Sequence, residues 1–133
     1  MNTKQETPVF DPKAVNLAQF TGTERYYRYA FGLYLTDGAK AFAEKFGAFW
    51  LLDIIGSYQS RVKDNFQVWY IAAIDNKGEV TCENGSGREI LSQNIEYTDF
   101  PDTDVKGSEA NKYNTLWLVN DELHLVVMLP SEY

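Results

Sequence analysis

The chain has 133 residues, enough for one domain that buries a sizeable core, and its 44% hydrophobic and 15% aromatic content excludes intrinsic disorder. Its net charge of −7 is uneven: residues 1–66 carry eight Lys/Arg and seven Asp/Glu, whereas residues 67–133 carry four Lys/Arg and twelve Asp/Glu. An acidic half of this kind repels nucleic acid and membrane phosphates and attracts basic protein surfaces.

Residues with reactive or metal-binding side chains are scarce. Cys82 is the single cysteine and His124 the single histidine, so neither a disulfide nor a zinc-type cluster is expected. Cys82 is next to Glu83 in the sequence, and His124 lies in a separate predicted strand. Both Cys82 and His124 are expected to be structural. The sequence therefore predicts no catalytic residues, no metal and no cofactor.

Two further patterns bear on location. The N-terminal segment lacks the apolar stretch of a signal peptide, and the longest apolar run, residues 48–55, is too short to span a bilayer. We expect a cytoplasmic protein.

The N-terminal residues predict a flexible arm at 1–10, followed by a single domain at 11–133. Asp11 and Pro12 are typical of a helix start, which gives a short helix over Pro12–Phe20. Thr21 and Glu24 have the spacing of a capping box, so a helical turn beginning there is an alternative.

The next segment contains one candidate strand and two helices. Apolar and polar residues alternate over Tyr26–Leu35, which favours a strand, although a helix stays open. Thr36 is placed to cap a helix beginning at Asp37, and Gly47 is placed to end or bend it. Ala48–Gln59 is apolar on most sides and predicts a buried helix.

The remainder predicts antiparallel strands. Asp75–Gly78 and Asn84–Gly87 are typical of hairpin turns, with Gly78 free to take a positive φ. The fold class predicted is α+β, with N-terminal helices packed on one face of a mainly antiparallel sheet of five or six strands. The expected strands are Phe66–Ile74, Glu79–Glu83, Arg88–Tyr97, Leu116–Val119 and Leu123–Leu129.

Three short motifs carry a resemblance: FTGTE at residues 20–24, TDG at 36–38, and WLLD at 50–53 followed by Tyr58-Gln59. Over roughly Phe20 to Val127 the chain resembles a small family of uncharacterised bacterial proteins carried by phages, plasmids and integrated elements. The resemblance implies no activity and no catalytic residues. It implies a setting in which small acidic proteins inhibit host defence, as antirestriction and anti-CRISPR proteins do.

The segment Thr98–Lys112 has no periodicity, and long irregular segments are often functional. It concentrates negative charge, so a plain solvated loop and a docking surface for a basic host protein are both open. Calcium is a weaker alternative, because the regular spacing of an EF-hand is missing. The predicted acidic surface comprises Glu96, Asp99, Asp102, Asp104 and Glu109.

Asp53 interrupts an apolar run, where a buried charge is expensive unless it is paired. The structural interpretation is a buried ion pair with Arg25, Arg28 or Arg61, or a cap that fixes the helix. The functional alternative is a small enzyme or ligand-binding domain with a pocket of Arg28, Trp50, Asp53 and Tyr58.

The leading hypothesis is a non-enzymatic acidic protein-binding module that mimics nucleic-acid charge, without binding nucleic acid or membrane itself. A homo-oligomer held together by surplus aromatic residues is a further hypothesis.

Overall fold

The computed structural model describes residues 23–101, 103 and 114–132. Within them, seven strands form one mixed sheet in the order β1-β2-β7-β6-β3-β4-β5. Short 3₁₀ turns occur at Ala30–Gly32 and Pro130–Glu132. The elements are β1 Tyr26–Arg28, β2 Leu33–Thr36, α1 Asp37–Phe46, α2 Phe49–Ser57, β3 Phe66–Ile74, β4 Lys77–Asn84, β5 Glu89–Ile95, β6 Thr115–Asn120 and β7 Leu125–Met128.

The predicted fold class is wrong in its proportions and its strand directions. Over the described residues the fold is 25% helical and 42% strand, with two helices and seven strands where helices on a sheet of five or six strands were predicted. Six neighbouring pairs make the sheet, and one of them, β2 with β7, is parallel. The predicted arm 1–10, the helix Pro12–Phe20 and the capping residue Thr21 lie outside the described residues.

A chain reversal inside Tyr26–Leu35 accounts for part of this difference. Phe31 and Gly32 have φ values of 64° and 75° in the left-handed region, which turns the chain back on itself. Two short strands result, and β1 pairs antiparallel with β2. Strand rather than helix is thus confirmed for most of the segment, but as a hairpin.

The local signals at both ends of α1 are confirmed. The Thr36 hydroxyl accepts a hydrogen bond from the Ala39 amide at 3.1 Å, so Thr36 is the N-cap. Gly47 adopts the left-handed conformation at the C-cap, with a φ of 59°, and a residue without Cβ takes that conformation at little cost. Helix α2 then begins at Phe49.

The hairpin between β3 and β4 turns at different residues from those predicted. Asp75 and Asn76 have φ values of 54° and 67°, as in the two-residue turns that Asp and Asn tolerate. Gly78 lies inside β4, opposite Ala73. The expectation that Gly78 supplies the positive φ is therefore wrong.

One face of the sheet and both helices enclose the core. Alternate residues of the strands are buried against the helices, as the period of two requires. Neither helix among the described residues is long and apolar enough to cross a membrane. The largest fully buried apolar side chains are Leu33, Phe42, Leu51, Leu52, Ile55, Trp69, Ile71, Leu116, Leu118 and Leu129.

A buried amide pair ties the end of α2 to the sheet. Gln67, fully buried on β3, exchanges hydrogen bonds with Gln59 at 2.9 and 3.1 Å and accepts one from the indole of Trp69 at 2.9 Å. Buried amides are tolerated when they are satisfied in this way. The contact fixes the helix over β3.

Candidate functional site

Four exposed carboxylates lie at one corner of the sheet, which we call the acidic corner: Asp75, Glu79, Glu96 and Asp99. Asp75 lies in the β3–β4 turn. Glu79 is the third residue of β4 and lies opposite Asn94 of β5. Glu96 and Asp99 follow the end of β5. Because β5 ends beside the β3–β4 turn, residues from separate parts of the sequence share this corner.

Hydrogen bonds hold the segment after β5 against the β3–β4 turn. The Thr98 amide donates to the carbonyl of Asn76 at 2.8 Å, and the Asn76 side chain donates back to the Thr98 carbonyl at 3.0 Å. Thr103 then pairs with Ala73 through two bonds of 2.8 Å. The segment is therefore anchored on both sides of Phe100.

Phe100 fixes the same segment against helix α1. Its side chain is buried, with its ring centroid 4.9 Å from that of Phe46 and 6.0 Å from that of Phe42 on α1. Tyr97, by contrast, is 72% exposed between Glu96 and Thr98. The acidic corner thus displays one aromatic side chain on a firmly anchored backbone.

The predicted acidic surface is placed in part. Glu96 and Asp99 are exposed, as expected, while Asp102, Asp104 and Glu109 lie outside the described residues. Asp75 and Glu79 were missed, because the sequence marks their hairpin but not where the chain returns after β5. Negative charge is also present away from the corner, at the opposite end of the sheet: Glu89, Asp121 and Glu122.

Asp53 is exposed on α2, so the predicted buried ion pair is wrong. Its carboxylate accepts a hydrogen bond from the Tyr29 hydroxyl at 2.8 Å, and the Tyr29 ring stacks on Phe49 at 5.9 Å. Burial, together with the Asp53 carboxylate, raises the pKa of Tyr29 to about 12. Within the described part of the chain, no arginine forms an ion pair with Asp53.

Tyr58 belongs to a different set of contacts. Its hydroxyl donates to Gln93 of β5 at 2.9 Å, and the Arg61 guanidinium lies 4.8 Å from the centre of its ring. The four residues of the alternative pocket hypothesis are placed on β1, on α2 and just after α2: exposed Arg28, half-buried Trp50, exposed Asp53 and half-buried Tyr58. Asp53 and Tyr58 therefore have no hydrogen-bond partner in common, and the pocket stays a prediction.

An aromatic residue that the sequence did not single out lies beside Tyr29. Phe31 is 52% exposed and packs over Gly56 of α2, where an added Cβ would lie 2.5 Å from the Phe31 ring. A bulky side chain with positive φ is uncommon and carries backbone strain. The glycine allows the turn to approach α2 closely.

The two reactive residue types are separated in the fold. Burial is the main reason that the pKa of the Cys82 thiol is raised to about 12, and a thiolate is disfavoured there. His124 is exposed before β7, with Nδ1 3.5 Å from the Asp121 carboxylate. Strands β6 and β3 lie between β7 and β4, so the histidine cannot activate the thiol. Cys82 is thus a buried residue of the sheet and His124 an exposed one, and the structural interpretation of both stays a prediction.

The N-terminus of α1, which could otherwise attract an anion, is closed by the protein's own side chains. The amides of Asp37, Gly38 and Ala39 donate to Thr23, Glu132 and Thr36 at 2.8, 2.9 and 3.1 Å. Glu132 is buried, and burial raises its pKa despite three hydrogen bonds that favour the charged form. No cluster of three or more His, Cys, Asp or Glu suited to a metal occurs among residues 23–101, 103 and 114–132.

The motif TDG at residues 36–38 is thus the start of this closed helix. A family model described as "Family of unknown function (DUF6876)" matches residues 12–133. The chain belongs to the DUF6876 family. The family match confirms an uncharacterised domain and assigns no activity to it.

Other comparisons with this DUF6876 member are distant. No curated protein gives a significant match. One solved structure, "Crystal structure of the protein of unknown function from Enterococcus faecalis", is 14% identical over 64% of this chain and 77% of that chain, with a TM-score of 0.42. A likeness at this level carries no argument about function.

Proposed function

We propose that this DUF6876 member is a non-enzymatic protein-binding module that presents its acidic corner to a basic protein. One observation carries the proposal: Glu79, Glu96 and Asp99 are exposed at the same corner as Tyr97, on a backbone that the turn and α1 hold in place. Like charges grouped at one corner of a sheet repel one another, so their grouping is explained better by an opposite charge on a partner.

The chemistry of the corner supports a protein partner. Complementary charge speeds encounter and selects among partners, while exposed tyrosine is enriched where interfaces are tightest. Because the segment is already anchored, little backbone entropy is lost on binding. Spaced carboxylates also resemble the phosphates of a nucleic acid in charge, which suits a groove that normally holds DNA or RNA.

The proposed partner is therefore a host protein that handles nucleic acid. The resemblance of the FTGTE, TDG and WLLD motifs to proteins carried by phages, plasmids and integrated elements is part of the same proposal, as is a role as an inhibitor of a host defence system of the antirestriction or anti-CRISPR type. On this proposal the protein acts in the cytoplasm by charge mimicry.

A charge-reversal experiment tests the proposal. The triple variant Glu79→Lys, Glu96→Lys, Asp99→Lys is compared with a control that reverses three exposed carboxylates elsewhere, Glu24→Lys, Asp64→Lys, Glu122→Lys. Each protein is used to capture host proteins at low and at high salt, and the captured proteins are identified by mass spectrometry.

We expect basic nucleic-acid-handling proteins to be captured at low salt by the wild type and the control, and not by the corner variant. High salt should release them, because it screens exposed charges over about 10 Å at 0.1 M and less above that. Capture that is unaffected by salt, or that is lost equally in both variants, would refute the proposal.

A further inference from the structure

Strand β5 is an open edge of the sheet. It has seven residues, whereas β1 at the other edge has three. In the described part of the chain no strand lies beyond β5. Natural edge strands are usually guarded by lysine, proline or shortness, and Glu89–Ile95 contains neither lysine nor proline. A register shift between Cys82 and Glu83 disturbs the pairing only near Glu89.

The two faces of β5 differ in chemistry. Leu91 and Ile95 lie opposite Cys82 and Gly78, on the face that the helices cover, and both are half-buried against the core. Ser92 and Asn94 lie on the other face and are exposed. An added strand would therefore meet apolar side chains on one of its faces and polar ones on the other.

Carboxylates surround the polar face. Glu89 and Glu96 flank the strand at its two ends, and Glu79 lies opposite Asn94 on the neighbouring strand. A second copy pairing antiparallel about the midpoint between Ser92 and Gln93 would place Glu89 of one chain opposite Glu96 of the other at both ends. Like charges facing each other across strands are destabilising, so the edge is poorly suited to itself and suited to a cationic strand.

We propose that β5 binds an extended segment of the partner by strand addition, with Lys or Arg on the face toward Glu89 and Glu96 and apolar residues toward Leu91 and Ile95. This inference rests on the proposed function and specifies how the partner is held. Main-chain hydrogen bonds give the affinity in this mode, and alternate side chains give the specificity. The acidic corner adjoins the end of β5, so the same segment reaches both.

Designed peptides test strand addition separately from charge attraction. The probe is a seven-residue peptide of alternating Lys and Val, added to ¹⁵N-labelled protein. One control replaces every Lys by Glu. A second control keeps all the lysines but methylates alternate backbone nitrogens on the pairing edge, which removes hydrogen-bond donors without changing charge.

We expect the Lys–Val peptide to shift the amide signals of Glu89–Ile95 and to slow the hydrogen exchange of those that point outward. The Glu–Val peptide should cause no shift, and methylation should weaken binding at least tenfold. Equal binding by the methylated peptide would overturn strand addition while leaving attraction to the acidic corner intact.

Two other results would also overturn it. One is the failure of the Lys–Val peptide to shift β5. The other is sedimentation of the free protein at twice its mass of 15.2 kDa, with β5 amides already protected from exchange, since a second copy would then occupy the edge. A Glu89→Lys, Glu96→Lys variant gives an independent check, because it should reverse the preference between the Lys–Val and Glu–Val peptides.

Discussion

The carboxylate of Glu132 provides a sharp test of how the fold is held together. Its Oε1 accepts from the Thr36 hydroxyl at 2.6 Å and the Leu129 amide at 2.8 Å, while its Oε2 accepts from the Gly38 amide at 2.9 Å. In Glu132→Gln only one of these positions is an oxygen. In either orientation of the new amide, its NH₂ group faces a main-chain N–H, that of Gly38 or that of Leu129.

The expected loss follows from that geometry. One buried donor left unpaired costs about 1–3 kcal/mol. The start of α1 also loses a negative charge worth about 0.3–1 kcal/mol, which is offset because a neutral amide is easier to bury than a carboxylate. We expect the free energy of unfolding to fall by about 2 kcal/mol. With about 2.1 cal/mol/K of unfolding entropy per residue over 133 residues, the Tm falls by about 7 °C.

The assay is thermal unfolding followed by circular dichroism at pH 7. Glu79→Gln is the matched control, since Glu79 is exposed, and exposed substitutions usually change stability by under about 0.5 kcal/mol. If Glu132→Gln melts within about 2 °C of the wild type (a third of the shift derived above from unfolding entropy), Glu132 is not the structural acceptor that its distances indicate.

The pH dependence of the same variant has a defined sign. Burial raises the pKa of Glu132 above its ordinary 4.5, so the folded protein binds this proton more tightly than the unfolded chain. Its contribution to stability is complete below pH 4.5 and is lost as the pH rises through the raised value. In urea unfolding, the stability difference between wild type and Glu132→Gln should therefore shrink with rising pH; a difference that grows would contradict the burial.

Three further predictions concern other positions. Gly38→Ala should lower the free energy of unfolding by about 2 kcal/mol, because its Cβ would lie 2.6 Å from Glu132 Oε1 in a packed interior. Gly47→Ala should lower it by about 1 kcal/mol, from its positive φ alone. Urea unfolding measures both changes, and equal losses would contradict the contact between Gly38 and Glu132. Cys82 should react with a disulfide reagent at pH 8 only after unfolding, and rapid reaction in the folded state would contradict its burial. Asp53→Asn should change stability by under about 0.5 kcal/mol in the same urea assay, and a larger loss would show that Asp53 is buried after all.

Local signals in the sequence predicted the local parts of the fold. Thr36 and Gly47 mark the ends of α1, and Phe66–Ile74 is a strand over its full length, because capping, left-handed glycine and alternation act over a few residues. The chain reversal at Phe31 was not predicted, because phenylalanine is disfavoured with positive φ and gives no turn signal. The parallel pairing of β2 with β7 joins segments about 90 residues apart and leaves no trace in either segment alone.

The candidate site was predictable to the same extent. Clustered charge correctly marked Glu96 and Asp99 as exposed, but the contribution of Asp75 and Glu79 depends on where β5 ends in space. The prediction that Asp53 is buried in an ion pair was wrong for a different reason. A helix that is apolar on most sides does not reveal which side the sheet will cover, and α2 turns Asp53 outward.

The motif TDG shows why the functional proposals rest on the edge and corner of the sheet. Thr36 caps α1, Asp37 accepts a hydrogen bond from the Glu24 amide at 3.0 Å, and Gly38 leaves room for the Glu132 carboxylate. Each residue of the motif thus has a structural task that accounts for its chemistry, and the helix start has no amide left for an anion. In contrast, nothing within the described fold accounts for the grouped charge of Glu79, Glu96 and Asp99 or for the open backbone of β5, so these are the features that a partner would explain.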